Sequence, residues 1–313
     1  MAVGVQTVQV LLAAYNGEKY LRQQLKSILG QRGVSVRILV RDDGSTDGTA
    51  ALLRAYERKY GNLSVYSGER KGSAGSFFDL LRHADLDCRY FAFADQDDVW
   101  MADKLRRAVL RLEGEACGQP LLYAGKVFCT AKDLGGRQMF AYRIGRAASF
   151  GNALMENICM GCTEVFNRSL LELVREHMPR THVMHDWWMY LTASYFGKVI
   201  YDQQAFVLYR QHGNNQIGMQ NDWIRRWAGR MRRIGQMKHR LSGQAVEFQR
   251  AYAGLIKGRQ CLAYLAKDRC LELMCGRNNG LRARLRIFRE SCLYRQNALD
   301  DIVCRVLFAA GFL

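Results

Sequence analysis

Along the first hundred residues, short apolar runs alternate with stretches in which apolar residues recur at helical spacing. Val8–Ala14 is mostly apolar, which predicts a strand buried on both faces. Asn16-Gly17 interrupts it, and Glu18–Gln31 then places Tyr20, Leu21, Leu25, Ile28 and Leu29 on one helical face. The pattern continues with a strand at Val34–Val40, a helix at Thr46–Tyr60, a strand at Leu63–Tyr66, a helix at Ser73–Ala84 and a strand at Arg89–Ala94. Such alternation predicts an α/β fold, a parallel sheet with helices on both faces. In these sheets ligands bind beyond the carboxyl ends of the strands.

Residues 103–112 read as a helix, Leu121–Thr130 and Met160–Phe166 as strands, and Arg168–His177 as a helix. His185–Phe196 is an aromatic-rich helix and Lys198–Arg210 is extended. Residues 131–158 show no clear period and are expected to contain a mobile loop. From Asp222 the texture changes. Trp223, Trp227, Met231, Ile234 and Leu241 fall at helical spacing, while Arg225, Arg226, Arg232, Arg233 and Arg240 crowd other faces. Residues 244–275 and 281–309 continue as helices. The expected division is therefore a catalytic domain over 1–220 and a basic helical region over 221–313.

Composition sharpens this picture in three places. With 49% hydrophobic residues and only two prolines, the 313-residue chain has the makings of a packed core rather than a disordered segment. The net charge is +17, and residues 222–313, with 19 Lys/Arg against 7 Asp/Glu, contribute +12 of it. Such a segment suits a polyanionic neighbour or an anionic membrane surface, although a solvated helical face would carry charge as well. The ten cysteines are irregularly spaced, and Cys159-Met-Gly-Cys162 has no second pair to complete a zinc site. They read as buried reduced thiols in a cytoplasmic protein. No apolar run reaches the roughly 18 residues of a membrane span.

The chemistry-bearing residues lie at the predicted strand ends. Asp95-Gln96-Asp97-Asp98 follows the strand ending at Ala94 and suits a hard divalent cation that keeps positions open for phosphate oxygens. Asp42-Asp43-Gly44-Ser45 is a turn-forming sequence, but at a buried strand end Asp43 could accept the imide N–H of a pyrimidine, with Tyr15 stacking on the base. His185-Asp186-Trp187-Trp188 opens a helix. Asp186 there suits an N-cap or a general base, and Trp187 or Trp188 suits the core or a sugar-stacking wall. Tyr209-Arg210-Gln211-His212-Gly213-Asn214-Asn215 gathers donors in one loop, fit for phosphate or metal contact.

Taken together, these stretches resemble family 2 glycosyltransferases of the GT-A fold, most closely the rhamnosyltransferase-like branch. The matching residues are Val10–Gly17, Asp42–Asp47, Asp95–Trp100, Gly161–Thr163, His185–Trp188 and Tyr209–Asn215. The resemblance implies a GT-A nucleotide-diphospho-sugar transferase fold, a Rossmann-like mixed sheet, followed by the basic helical extension. It implies that Ala13, Tyr15, Asp43, Asp95 and Gln96 bind the nucleotide sugar, and that Asp97 is the direct ligand of Mg²⁺ or Mn²⁺. His212 joins the metal and diphosphate side, Asp98, Trp187 and Arg210 support the site, and Asp186 is the catalytic base. In one departure, Ser76 in Gly72–Phe77 stands where related chains often carry Asn, which weakens a donor contact there.

The implied activity is an inverting, metal-dependent transfer, with dTDP-L-rhamnose as first choice of donor and a UDP-hexose as the alternative. The acceptor is a hydroxyl of a growing glycan, lipid-linked and destined for a surface polysaccharide. A peripheral position on the anionic inner face of the membrane would follow, with Trp223 and Trp227 at the interface, and a homodimer would also be compatible. Two other classes fit less well. A sugar nucleotidyltransferase would want a Gly-rich, Lys/Arg-bearing loop after the first strand, which Ala13–Glu18 does not supply. A nucleic-acid-binding protein would want charge on the α/β core and a recognised motif, so no nucleic-acid partner is expected.

Overall fold

The structure is a computed structural model and describes residues 5–116, 118–136, 138–139, 144–181, 183–211, 240–258, 262–276 and 280–313. Two compact units divide the chain. The first comprises 1–142, 159–178 and 184–212, and the second 143–158, 179–183 and 213–313. The boundary expected near 220 falls outside the described residues. The second unit also takes in 143–158 and 179–183, which chain order alone assigned to the first.

The first unit is built on a mixed sheet. Its elements are β1 (Thr7–Ala14), α1 (Glu18–Leu29), β2 (Ser35–Asp42), α2 (Thr49–Lys59), β3 (Leu63–Ser67), α3 (Gly72–His83), β4 (Tyr90–Asp95), β5 (Val99–Trp100), α4 (Lys104–Glu113), β6 (Leu121–Thr130) and β7 (Gln138–Met139). After α5 (Phe150–Met155), which belongs to the second unit, come a 3-10 turn (Gly161–Thr163), β8 (Val165–Asn167), α6 (Arg168–Glu176), α7 (His185–Phe196) and β9 (Lys198–Arg210). The order across the sheet is β3-β2-β1-β4-β8-β6-β9-β5, with β7 beside β6.

The β3-β2-β1-β4 half is parallel, as the alternation predicts. The rest makes the sheet mixed, as the resemblance implies. β8 runs antiparallel to both β4 and β6, β6 and β9 are parallel, and β5 is antiparallel to β9. The cause is local. The single strand expected over Met160–Phe166 is broken by the 3-10 turn, in which the Thr163 hydroxyl donates to the Met160 carbonyl at 2.8 Å.

Apolar burial holds this unit together. Val8, Val10, Leu11 and Leu12 of β1 are fully buried, as are Phe91 to Ala94 of β4. Each large apolar side chain so placed contributes about 1.5–3 kcal/mol relative to exposure. Helix α2 starts three residues later than its apolar period suggests, because side chains hold the preceding loop open. Asp42 accepts from the Ser45 amide and hydroxyl, Asn16 accepts from the Thr46 amide, and Glu18 accepts from the Gly48 amide. Gly44, at φ 77°, makes the turn that returns the chain from Asp43.

The second unit is helical among its described residues. It contains α5 (Phe150–Met155), α8 (Arg240–Ala251), α9 (Ala253–Lys257), α10 (Leu262–Cys275), α11 (Leu281–Arg284) with a 3-10 turn over Leu285–Phe288, and α12 (Ala298–Ala309). The two long helices expected over 244–275 and 281–309 are thus each interrupted. Helix α5 is buried throughout. Ser149 caps it by accepting from the Asn152 amide, and Asn152 donates to the Tyr294 carbonyl at 3.0 Å. Gly151 is required there, since a Cβ would strike the Cys292 carbonyl. A disulfide joins Cys270 and Cys292, so the cysteines are not all reduced thiols as expected. Among the described residues no helix is long and apolar enough to cross a membrane.

Candidate active site

The site lies at the carboxyl ends of β1, β2 and β4, neighbouring strands whose register sets Ala13 beside both Arg41 and Asp95. Short hydrogen bonds tie the three ends together. The Asp43 amide donates to the Ala14 carbonyl at 2.8 Å. The Gln96 side chain accepts from the Tyr15 amide at 2.8 Å and donates to the Tyr15 carbonyl at 2.9 Å. Gln96, expected to bind nucleotide sugar, is therefore engaged with the backbone of Tyr15 and fixes that residue. The guanidinium of Arg70 lies 4.3 Å from the Tyr15 ring centre, so two planar groups meet where a base would stack.

At the β2 end, Asp43 sits in a closed set of charges. Arg41, almost fully buried, forms ion pairs with Asp43 and Asp79 and donates to the Glu69 carbonyl at 2.8 Å. The Ser76 hydroxyl donates to Asp43 at 2.5 Å, giving the position that departs from related chains a direct role in holding the predicted base-binding carboxylate. Burial works to raise the Asp79 carboxyl, but hydrogen bonds from Lys71, Arg41 and Tyr66 outweigh it and hold that group down at about 2.

The β4 end is the opposite case. Burial, reinforced by Asp97 and Asp186, pushes the Asp95 carboxyl up to about 7, and Lys104 opposes the shift. Asp98 is completely buried and is pushed well above the ordinary carboxylate range by burial and then by Asp95 and Asp97. Lys104, in the first turn of α4, is buried with its ammonium 3.3 Å from the Trp100 ring centre, and burial brings it down to about 7. Glu164 is fully buried, and neither of its carboxylate oxygens has a hydrogen-bond partner among the described residues.

Asp186 is the second residue of α7. Met184 is the N-cap, so Asp186 does not fill that position. One carboxylate oxygen accepts from the Trp187 amide at 2.7 Å and the other from the Gly161 amide at 3.3 Å. Gly161 has to be glycine, because a Cβ would come within 2.8 Å of His185. His185 stacks on Phe77 at 4.0 Å, and burial pushes its imidazole down to about 3, so it is neutral near pH 7. Trp188 is wholly in the core, whereas Trp187 is partly exposed.

Arg210, at the end of β9, donates to the Asp97 carbonyl at 2.8 Å, to Gln23 at 2.6 Å and to the Lys132 carbonyl. Its amide reaches Asp98 at 3.3 Å. It therefore fastens the Asp95–Asp98 turn to α1 and the β6 end rather than reaching out to a phosphate. His212 lies outside the described residues. Asp95, Asp98 and Cys162 offer ligand atoms within 4.8 Å of one another, but burial keeps the Cys162 thiol protonated. The excess of carboxylates over cations at this strand end is what a hard divalent ion would relieve, and Asp95 and Asp97 are the oxygen donors suited to it. Arg41, Arg70, Lys104 and Glu164 were not anticipated. A charged residue inside an apolar strand run was the signal at Glu164, whereas Arg41, Arg70 and Lys104 look like surface positions.

Residues 9–173 match the glycosyl transferase family 2 profile, which covers more than half the chain. The chain belongs to glycosyltransferase family 2. A relative in Shigella flexneri, the dTDP-rhamnosyl transferase RfbG, is 31% identical over 220 residues, covering 66% of this chain and 73% of that one. The crystal structure of Staphylococcus aureus TarS 1–349 with UDP-GlcNAc superposes with a TM-score of 0.58 at 16% identity, over 98% of this chain and 91% of that one. The mannosyltransferase PcManGT of Pyrobaculum calidifontis, solved with GDP-Man and Mn²⁺, superposes with a TM-score of 0.50 at 21% identity, over 97% and 85%. The fold is therefore that of the GT-A glycosyltransferases, and the chain is a rhamnosyltransferase-like family member.

Proposed function

We propose that this glycosyltransferase moves L-rhamnose from dTDP-L-rhamnose, with inversion, onto a hydroxyl of a growing lipid-linked glycan at the cytoplasmic face of the membrane. The observation that carries the reading is the placement of Asp186 beside the acidic end of β4, with both carboxylate oxygens oriented by backbone amides. A carboxylate so fixed is positioned to take the proton of an acceptor hydroxyl. The acceptor oxygen then attacks the anomeric carbon opposite the diphosphate, the new C–O bond forms, and the bond to the leaving oxygen breaks with its electron pair. Asp43, immobilised by Arg41 and Ser76, accepts the imide N–H of the pyrimidine, and Tyr15 and Arg70 flank its ring.

Mg²⁺ or Mn²⁺, held by Asp95 and Asp97 with His212 as a further donor, would supply positive charge to the departing diphosphate. Arg210 and Gln96 keep the carboxylate-bearing turn and the end of β1 in register. Support for the donor comes from RfbG, a dTDP-rhamnosyl transferase. A UDP-hexose is the second reading, because uracil presents the same imide to Asp43 and TarS was solved with UDP-GlcNAc. A thermal-shift comparison of dTDP-rhamnose with UDP-sugars in Mn²⁺ separates the two, since at equal concentration the tighter-binding donor raises the melting temperature more.

The decisive test is Asp186→Asn. The variant keeps its melting temperature and nucleoside diphosphate binding and loses transfer by about 10²–10⁴-fold, the range for a positioned proton acceptor. Turnover at the parent rate would remove Asp186 from the role.

A further inference from the structure

The second unit carries a surface that sugar transfer does not use. Along Leu281–Phe288, the side chains of Leu281, Leu285 and Phe288 are 57%, 45% and 48% exposed. They recur at helical spacing and so share one face. Arg282, Arg286 and Arg289 each follow one of them by a single residue and are exposed too, forming a basic stripe along the edge of the apolar one. Among the described residues none of these three arginines has an ion-pair partner.

The segment is firmly seated. Ile287 is buried, and Arg305 of α12 donates to the carbonyls of Ile287, Glu290 and Leu293. Helix α12, packed against it, exposes a second apolar row of Leu299, Ile302 and Val306. A rigid apolar face edged by unpaired guanidinium groups needs a partner that takes both oily side chains and positive charge.

We propose that Leu281–Arg289, together with the exposed row of α12, seats this chain on an anionic lipid surface. The apolar side chains enter the boundary between headgroups and acyl chains, and the arginines meet lipid phosphates. A second copy is the poorer occupant, because a two-fold interface would bring this same arginine-rich patch against itself. The proposal gives the lipid-linked-acceptor reading a named surface, and its test needs no transfer activity.

The experiment is flotation of the full chain with phosphatidylcholine vesicles, with and without phosphatidylglycerol. Binding is expected only with phosphatidylglycerol and is expected to fall as salt is raised. Arg282→Ala/Arg286→Ala/Arg289→Ala, at exposed positions, keeps the parent melting temperature and weakens partition about a hundredfold, from roughly fivefold per basic residue near an anionic surface. Leu285→Ser/Phe288→Ser weakens it as well and leaves the salt dependence in place. Transfer to a soluble acceptor is unchanged in both variants. The proposal is overturned if the parent chain ignores anionic vesicles or if the triple-arginine variant floats like the parent. It is also overturned if Leu299→Ser/Ile302→Ser dissociates a dimer without changing flotation, which would make the face a protein interface.

Discussion

At the end of β2, Asp43 and Asp79 share the guanidinium of Arg41, with Lys71 and Ser76 completing their contacts. At the end of β4, Asp95 is repelled by Asp97 and Asp186, Asp98 by Asp95 and Asp97, and the buried ammonium of Lys104 is the cation that opposes the charge on Asp95. The two ends look alike in sequence, Arg41-Asp-Asp43 and Asp95-Gln-Asp-Asp98, yet their electrostatics differ in sign. One carboxylate, Asp79, is held down at about 2, and another, Asp95, is raised to about 7. A balanced end can fix a carboxylate for recognition of a neutral base edge without needing a further charge. An end with surplus negative charge is unfavourable until positive charge arrives, which suits it to a cation and a diphosphate.

The harshest way to break this contrast is to remove the internal cation of the β2 end. Arg41→Met strips Asp43 of its buried cation and leaves Asp79 with Lys71 alone, and is expected to cost about 3–5 kcal/mol in stability, the range for breaking a buried pair from one side. Urea denaturation reads it directly, and a parent-like midpoint would show that the β2 end is not charge-coupled. At the β4 end, Asp97→Asn removes surplus charge and should leave stability intact. Transfer there is expected to fall about 10²–10³-fold. The stabilisation of the protein by Mn²⁺ should fall with it. Should Asp97→Asn respond to Mn²⁺ as the parent does, Asp97 is not a ligand.

The pH dependence of stability sharpens the comparison. The folded pKa of Asp79, about 2, is depressed below its ordinary 3.8, so its contribution is fully present above about pH 4 and is lost as pH falls through 2. Its size is about 2 kcal/mol. Asp95 is raised to about 7, so in the metal-free protein its contribution is present below pH 3.8 and is lost as pH rises through 7. His185 acts in the same window with the opposite sign. Its folded pKa, about 3, lies below 6.5, so its contribution is present above pH 6.5 and is lost as pH falls towards 3. The difference between the parent and Asp95→Asn, followed from pH 4 to 8, isolates the Asp95 contribution. That difference should shrink with rising pH without metal, and a flat difference would remove the surplus-charge account.

Much of the first unit was legible because its signals are local. The continuous apolar runs of β1 and β4 announce strands buried on both faces, and 185–196 and 198–210 fall where their composition places a helix and a strand. Strand direction was not legible. Val165–Asn167 is as apolar as a parallel strand, and only its partners on either side reveal that it runs the other way. Among site residues, the acidic strand ends could be read from Asp placement, but their opposite charge balance could not. It depends on Arg41 and Lys104, whose codes alone suggest solvent. The capture of Phe150–Met155 by the second unit was equally hidden, since Asn152 finds its carbonyl partner 142 residues away.

The smallest predicted effect tests whether the β2 end positions a carboxylate or merely stores charge. Ser76 donates to Asp43 at 2.5 Å, accepts from Arg41 at 3.1 Å and lies 2.8 Å from the Gly72 carbonyl. Ser76→Ala keeps Arg41 and both carboxylates, so the charge balance survives, but Asp43 loses the contact that orients its second oxygen. The loss corresponds to about 1 kcal/mol for one hydrogen bond, or roughly fivefold weaker nucleotide binding. It should appear in donor KM, with kcat unchanged, because the base edge is held equally before and during transfer. An unchanged KM would mean that Arg41 alone fixes Asp43. An equal loss in kcat would mean that the base end and the reacting end are mechanically linked through the Gln96 bridge to Tyr15.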